Sequence, residues 1–154
     1  MVKAQKKVAS PECTNHSCAK GSRPRCEESK ETAFQVTRFA IEFKPKWIII
    51  ENVIQIRSWI GHQKLLEELW ESGYFIKEQI LNAQDFGVPQ SRKRLFLLCS
   101  LSGEAKKVKT KKTIPETAGS IISYDSEYSE RYKKLFRNAV CPPVMKEIVL
   151  LLVS

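Results

Sequence analysis

Trp47-Ile48-Ile49-Ile50-Glu51-Asn52-Val53 is the stretch that decides the fold. An unbroken β-branched run has no polar face, so it reads as a strand covered on both sides, the pattern of a sheet packed between helices. Upstream, Ala33, Val36, Ala40 and Phe43 recur every three or four positions and predict an amphipathic helix over 32–43, stopped by Pro45. Downstream, Leu65, Leu66, Leu69 and Trp70 form a second helical stripe, closed by Gly73. Residues 74–81 and 95–99 read as further strands, the first apolar enough to be an interior one like 47–53. Val8-Ala9-Ser10 reads as a strand stub running into Pro11. A last helix is predicted over 143–151, with proline in its first turn. This order of elements predicts half of a doubly wound α/β sheet.

At 154 residues the chain is one domain's worth of sequence. It carries 26 basic against 17 acidic residues, a net charge of +9. That balance suits a polyanionic partner, because lysine and arginine release counterions from phosphate; it also serves solubility. Five cysteines, no secretory signal and no long apolar span argue for a reduced, cytoplasmic protein without a membrane segment. The apolar run 148–153 is too short to cross a bilayer. Residues 14–25 have no periodicity and read as a loop. The lysine-rich stretch 103–113 reads as a linker, and there is no internal repeat.

Four blocks carry chemistry. In Ser10-Pro11-Glu12-Cys13-Thr14-Asn15-His16-Ser17, Cys13 follows a strand and has Lys20, Arg23 and Arg25 nearby in sequence. Cations favour a thiolate, although an ordinary loop cysteine fits the local sequence as well. Glu51 ends the apolar run, where a reactive carboxylate and a solvated strand end are both open readings. In Pro89-Gln90-Ser91-Arg92-Lys93-Arg94-Leu95, alternation along an extended segment puts Arg92 and Arg94 on one face; a solvated charged face also fits. Asn138-Ala139-Val140-Cys141-Pro142-Pro143 alone is a capped helix start. Cys13, His16, Cys18 and Cys26 could ligate zinc, but they lack paired Cys-x2-Cys spacing, and no metal is expected.

Together these blocks resemble the C5-cytosine DNA methyltransferase family. The resemblance rests on Ser-Pro-Glu-Cys at 10–13, Glu-Asn-Val at 51–53 and Asn-Ala-Gln-Asp-Phe-Gly-Val-Pro-Gln-Ser-Arg-Lys-Arg at 82–94. Arg131-Tyr132-Lys133-Lys134-Leu135 followed by Asn-Ala-Val at 138–140 adds to it. It implies a partial Rossmann-like, S-adenosylmethionine-dependent methyltransferase sheet with flanking helices. Cys13 would be the nucleophile. Glu51 would meet N3 and the exocyclic amine of a flipped cytosine, with Asn52 orienting the loop. Arg94 would contact the base carbonyl, and Arg92 would support the cysteine loop. Asn138, Ala139 and Val140 would lie beside the methyl donor. Two departures stand out: Glu12 replaces the more usual proline before the cysteine, and Phe136-Arg137 replaces a single glycine before Asn138.

The chemistry explains that set of residues. Cytosine C5 is a poor nucleophile until a thiolate adds at C6, and the addition needs a donor near N3. The base must leave the duplex to be reached. Donor binding in such folds uses a glycine-rich turn, yet no Gly-x-Gly occurs among the six glycines. The expectation is therefore the catalytic portion of a DNA (cytosine-5-)-methyltransferase with an incomplete S-adenosylmethionine site. It divides into a core over 1–102, a linker or remnant of the recognition region over 103–130, and a motif helix over 131–154. DNA is the expected partner. A second polypeptide would supply the donor-binding half and cover the sheet edge near Val8. A tRNA cytosine-5 methyltransferase and a non-catalytic DNA-binding remnant are the alternatives.

Overall fold

The computed structural model describes residues 6–11, 31–87, 91–104, 107–110 and 141–153. The chain divides into two units, Met1–Leu81 with Lys93–Lys107, and Asn82–Arg92 with Val108–Ser154.

The first unit is built on a sheet of β1 (Lys6–Ala9), β2 (Trp47–Asn52), β3 (Phe75–Asn82) and β4 (Lys93–Ser100), in the order β1-β2-β4-β3. Two helices belong with it, α1 (Phe34–Phe43) and α2 (Ile60–Glu71). β1 runs parallel to β2, with Val8 opposite Ile49 and Ala9 opposite Ile50. β4 lies antiparallel on the other side of β2, pairing Ile48 with Cys99, Ile50 with Leu97 and Glu51 with Phe96. The α/β class matches the sequence reading, but the sheet is mixed. The short 83–92 connection leaves no room for the crossover helix that a parallel return needs.

β2 is buried on both faces, as its β-branched run requires, with Ile48, Ile49 and Ile50 all at most 2% exposed. Ile48 and Ile50 join Leu97 and Cys99 of β4 against Val36 and Ala40 of α1, Leu65 and Leu69 of α2, and Tyr74. Burial pushes both the Cys99 thiol and the Tyr74 hydroxyl up to about 12. Cys99 is thus an inert core residue. The Tyr74 hydroxyl is satisfied by donating to the Pro45 carbonyl at 2.8 Å.

The helix ends follow local chemistry. α1 stops where Lys44 takes a left-handed φ of 45° and its N–H bonds to the Ala40 carbonyl, just before Pro45. α2 closes through Gly73 at φ +91°. The Gly73 N–H bonds to the Trp70 carbonyl and the Tyr74 N–H to the Leu69 carbonyl, the paired bonds of a Schellman ending. Leu65 and Leu69 are fully buried, but Trp70 is 73% exposed. Trp70 sits off the stripe, so the apolar face of α2 is narrower than its composition suggests. Phe43 is also exposed, at the C-terminal end of α1, with its ring centroid 4.4 Å from that of Phe39.

One strand expectation fails. Residues 74–81 read as an interior strand, but among the described residues β3 is the last strand of the sheet, with Phe75 and Ile80 exposed. β1 is the opposite outer strand among the described residues, and Val8 is exposed there. In the second unit, α3 (Pro142–Val153) buries Val144, Ile148 and Leu152, and a 3-10 turn spans Ala83–Phe86. No helix among the described residues is long and apolar enough to cross a membrane.

Candidate active site

Sheet register brings three site elements of the first unit together. Ala9 pairs with Ile50, so the next residue, Ser10, falls beside Glu51 where β1 ends. Phe96 pairs with Glu51, and Arg94 lies two residues before Phe96 on the same face of β4. Arg94 is therefore the diagonal neighbour of Glu51. The side chains complete the contacts. Ser10 Oγ donates to Glu51 Oε2 at 2.7 Å, and Arg94 Nε lies 3.2 Å from Glu51 Oε1. An Arg94 terminal nitrogen also donates to the Lys93 carbonyl at 2.9 Å.

Glu51 is part of the strand itself and is only 6% exposed, so it is no solvated strand end. A buried carboxylate needs compensating donors, and this one has a hydroxyl on one oxygen and a guanidinium on the other. Asn52, also buried, uses its carbonyl oxygen to accept the Val53 N–H at 2.8 Å. Its amide reaches the Pro11 carbonyl at 3.5 Å, the outer limit of a hydrogen bond. Both ends of that side chain act on backbone, one in the Glu-Asn-Val turn and one in the segment leading to Cys13.

Arg92 belongs to the second unit. There Asn82 works as a clasp. Its carbonyl oxygen accepts the Arg92 N–H at 2.8 Å and the Gln84 N–H at 3.4 Å. Its amide donates to Ser91 Oγ at 3.3 Å, and the Ala83 N–H bonds to the Arg92 carbonyl. The two ends of the 83–91 loop are thereby joined. A groove of about 510 Å³ in the same unit is lined by Asp85, Phe86, Lys109, Pro143, Lys146 and Glu147, and contains none of the predicted site residues.

Cys13, Asn138, Ala139 and Val140 lie outside the described residues, as does the whole zinc alternative of Cys13, His16, Cys18 and Cys26. Among the described residues no group of three or more His, Cys, Asp or Glu could hold a metal. Two partners were missed by sequence reasoning. Ser10 was read as the end of the strand stub and the start of the cysteine block, with no contact of its own; the signal for it was that strand end, which parallel pairing sets beside Glu51. Asn82 was quoted without a role, although an asparagine ending a strand before a turn is a ready local acceptor.

Outside this site, the 3-10 turn Ile54–Ser58, α2 and β3 share a polar cluster. Glu78 accepts from Arg57 Nε and lies 3.7 Å from His62 Nε2. His62 is buried, and its Nδ1 has no hydrogen-bond partner among the described residues. Burial holds the imidazole below its ordinary range; Glu78 pulls the other way and Arg57 adds to the lowering.

The family model for C-5 cytosine-specific DNA methylase matches residues 8–141, and the chain belongs to that family. It is 37% identical over 95 residues to the Type II methyltransferase M.Bsp6I of Bacillus sp. (strain RFL6), covering 56% of this chain and 29% of that protein. It is 35% identical over 98 residues to the Type II methyltransferase M.NlaIV of Neisseria lactamica, covering 54% of this chain and 22% of the relative. The chain thus spans less than a third of the length of these relatives. The fold resembles that of the Entamoeba histolytica methyltransferase EhMeth, with a TM-score of 0.56, 23% identity and coverage of 71% and 36% of the two chains. It also resembles a putative DNA modification methyltransferase of an Escherichia coli prophage, at a TM-score of 0.53, 20% identity and coverage of 64% and 27%.

Proposed function

We propose that this chain carries the nucleophile and base-holding part of a DNA (cytosine-5-)-methyltransferase, with DNA as its partner. The observation that supports it most is the buried Glu51 carboxyl near the end of β2, held between Arg94 and Ser10, the residue where β1 ends and the Cys13 segment begins. In this reading the Cys13 thiolate adds to cytosine C6, and the S–C6 bond forms. The C5–C6 π electrons shift into the ring toward N3, where protonated Glu51 delivers its proton. C5 is then an enamine carbon able to attack an electrophile. A base then takes the C5 proton, the S–C6 bond breaks as the thiolate leaves, and N3 gives its proton back to Glu51, which restores the neutral aromatic base. Arg94 would hold the base carbonyl, and Arg92 and Asn52 would support the Cys13 segment.

S-adenosylmethionine would supply the methyl group when bound. The described residues do not fit it by themselves, because none forms a glycine-rich turn at a strand end. In this proposal Asn138, Ala139 and Val140 add one wall of its site. The rest comes from residues outside this sequence, in the same or a second polypeptide. Residues 1–102 would hold the base chemistry, 103–130 would link, and 131–154 would supply that wall. The Type II naming of the relatives supports a restriction-modification setting, at work on DNA in the cytoplasm.

The test needs no methyl donor. Addition at C6 makes the C5 hydrogen exchangeable, so the assembled protein should release tritium from DNA carrying 5-tritiated cytosine. Cys13→Ser should abolish the release, and Glu51→Gln should slow it by about a hundredfold or more. Release that survives Cys13→Ser would sink the assignment. Release from tritiated tRNA but not from DNA would move it to the tRNA reading.

A further inference from the structure

We propose that Ser10 is a positioning residue for Glu51, holding its carboxyl through both protonation states that the reaction needs; this rests on the methyltransferase reading above. Arg94 has only donors, so its Nε can hold Glu51 Oε1 only as an acceptor. Yet the proposed step requires Glu51 to carry a proton and deliver it to a ring nitrogen. The Arg94 contact weakens when that proton is present.

Ser10 behaves differently. A hydroxyl both donates and accepts. It donates to Oε2 at 2.7 Å in the ionised form, a short, charge-assisted bond. After a rotation about its C–O bond it can accept from the protonated carboxyl. The carboxyl then stays in place when its charge changes. The alternative role for a serine before a proline is to shape the turn out of β1. That role needs no contact with Glu51, 41 positions away in sequence. The hydroxyl reaches Glu51 because parallel pairing of Ala9 with Ile50 sets the two residues side by side. An alanine would keep the strand and the turn while losing the contact.

Two measurements on Ser10→Ala and Ser10→Thr test this. In the assembled protein, tritium release from DNA carrying 5-tritiated cytosine should fall about tenfold for Ser10→Ala, the loss of one positioned hydrogen bond. DNA affinity, read by fluorescence anisotropy, should stay within about twofold. Ser10→Thr, which keeps the hydroxyl, should stay within about threefold of the unsubstituted rate. In the full chain, the side-chain carboxyl carbon resonance of Glu51 should be one sharp line in the wild type and Ser10→Thr. It should be broadened or split in Ser10→Ala. Wild-type release by Ser10→Ala, or equal losses for alanine and threonine, overturns the proposal. If the wild type releases no tritium, the methyltransferase reading fails. The resonance then decides the role of Ser10, and a line unchanged in Ser10→Ala overturns it.

Discussion

β4 and β3 are neighbours in one sheet and have the same length of eight residues, yet they are held in opposite ways. From Leu95 to Ser100 every residue of β4 is buried. In β3 only Leu81 is buried, and Phe75 and Ile80 are exposed. β4 is fixed by apolar packing. β3 adds polar contacts: Glu78 to Arg57 and His62, and Lys77 to Glu104 at 3.6 Å. Position in the sheet makes the difference. A strand with neighbours on both sides needs a continuous apolar run, whereas an outer strand tolerates Lys77, Glu78 and Gln79 in its middle.

The largest test of this contrast is Leu98→Ala. Leu98 is fully buried, and truncation there leaves a cavity worth about 2–5 kcal/mol. Urea unfolding of the full chain should show that loss through the midpoint. A loss below about 1 kcal/mol would mean that β4 is not the packed strand it looks to be.

Gly73→Ala comes next and probes how the chain is turned from α2 into β3. Gly73 sits at φ +91°, where a Cβ is disfavoured by about 1–2 kcal/mol. Among the described residues nothing but a Leu101 methyl, 3.9 Å away, would meet the added Cβ, so the cost is conformational and not steric. Ser72→Ala, beside it in the same turn, should be milder despite losing a hydroxyl bond to the Glu68 carbonyl. If the two variants unfold at the same midpoint, backbone conformation is not what Gly73 supplies.

Much of this was legible in the sequence, for reasons that particular residues show. Ile48 to Ile50 announced a strand covered on both faces because nothing in the run could face water. Gly73 announced a helix end, and Pro45 the end of another. Two things were hidden. β3 was misread because Phe75, Ile76 and Ile80 look like core residues when burial is judged by composition; strand order is a long-range fact that they do not encode. The Ser10–Glu51–Arg94 contact was hidden for the same reason. Its members lie far apart in sequence, and only the pairings of β2 with β1 and with β4 bring them together. Glu51 and Arg94 could be singled out by family resemblance, but not placed side by side.

The His62–Glu78 contact gives a smaller, pH-dependent test of how β3 is held. Burial keeps the His62 imidazole below its ordinary 6.5 in the folded chain, with Glu78 opposing and Arg57 assisting. The unfolded chain therefore binds this proton more readily. The stability from neutral His62 is complete above about pH 6.5 and is lost as pH falls below it. The melting temperature should drop between about pH 7.5 and 5.5, and His62→Gln should flatten that slope. An identical slope in the variant would show that Glu78 holds β3 without help from a neutral His62.

The smallest expected effect is Ile80→Thr, which asks whether β3 is as peripheral as its exposure implies. Ile80 is 40% exposed, and threonine keeps the β-branch that suits a strand. The change should move stability by no more than about 0.5 kcal/mol in the full chain. Read beside Leu98→Ala, it sets the two ends of the contrast on one scale, one isolated substitution per neighbouring strand. The same variant also reports on the assembled protein. If Ile80→Thr costs little in the chain but several degrees of melting temperature in the assembly, then residues outside this sequence cover β3, and its exposed face is an interface. If it costs as much as Leu98→Ala in the chain itself, the contrast between a packed β4 and a peripheral β3 is wrong.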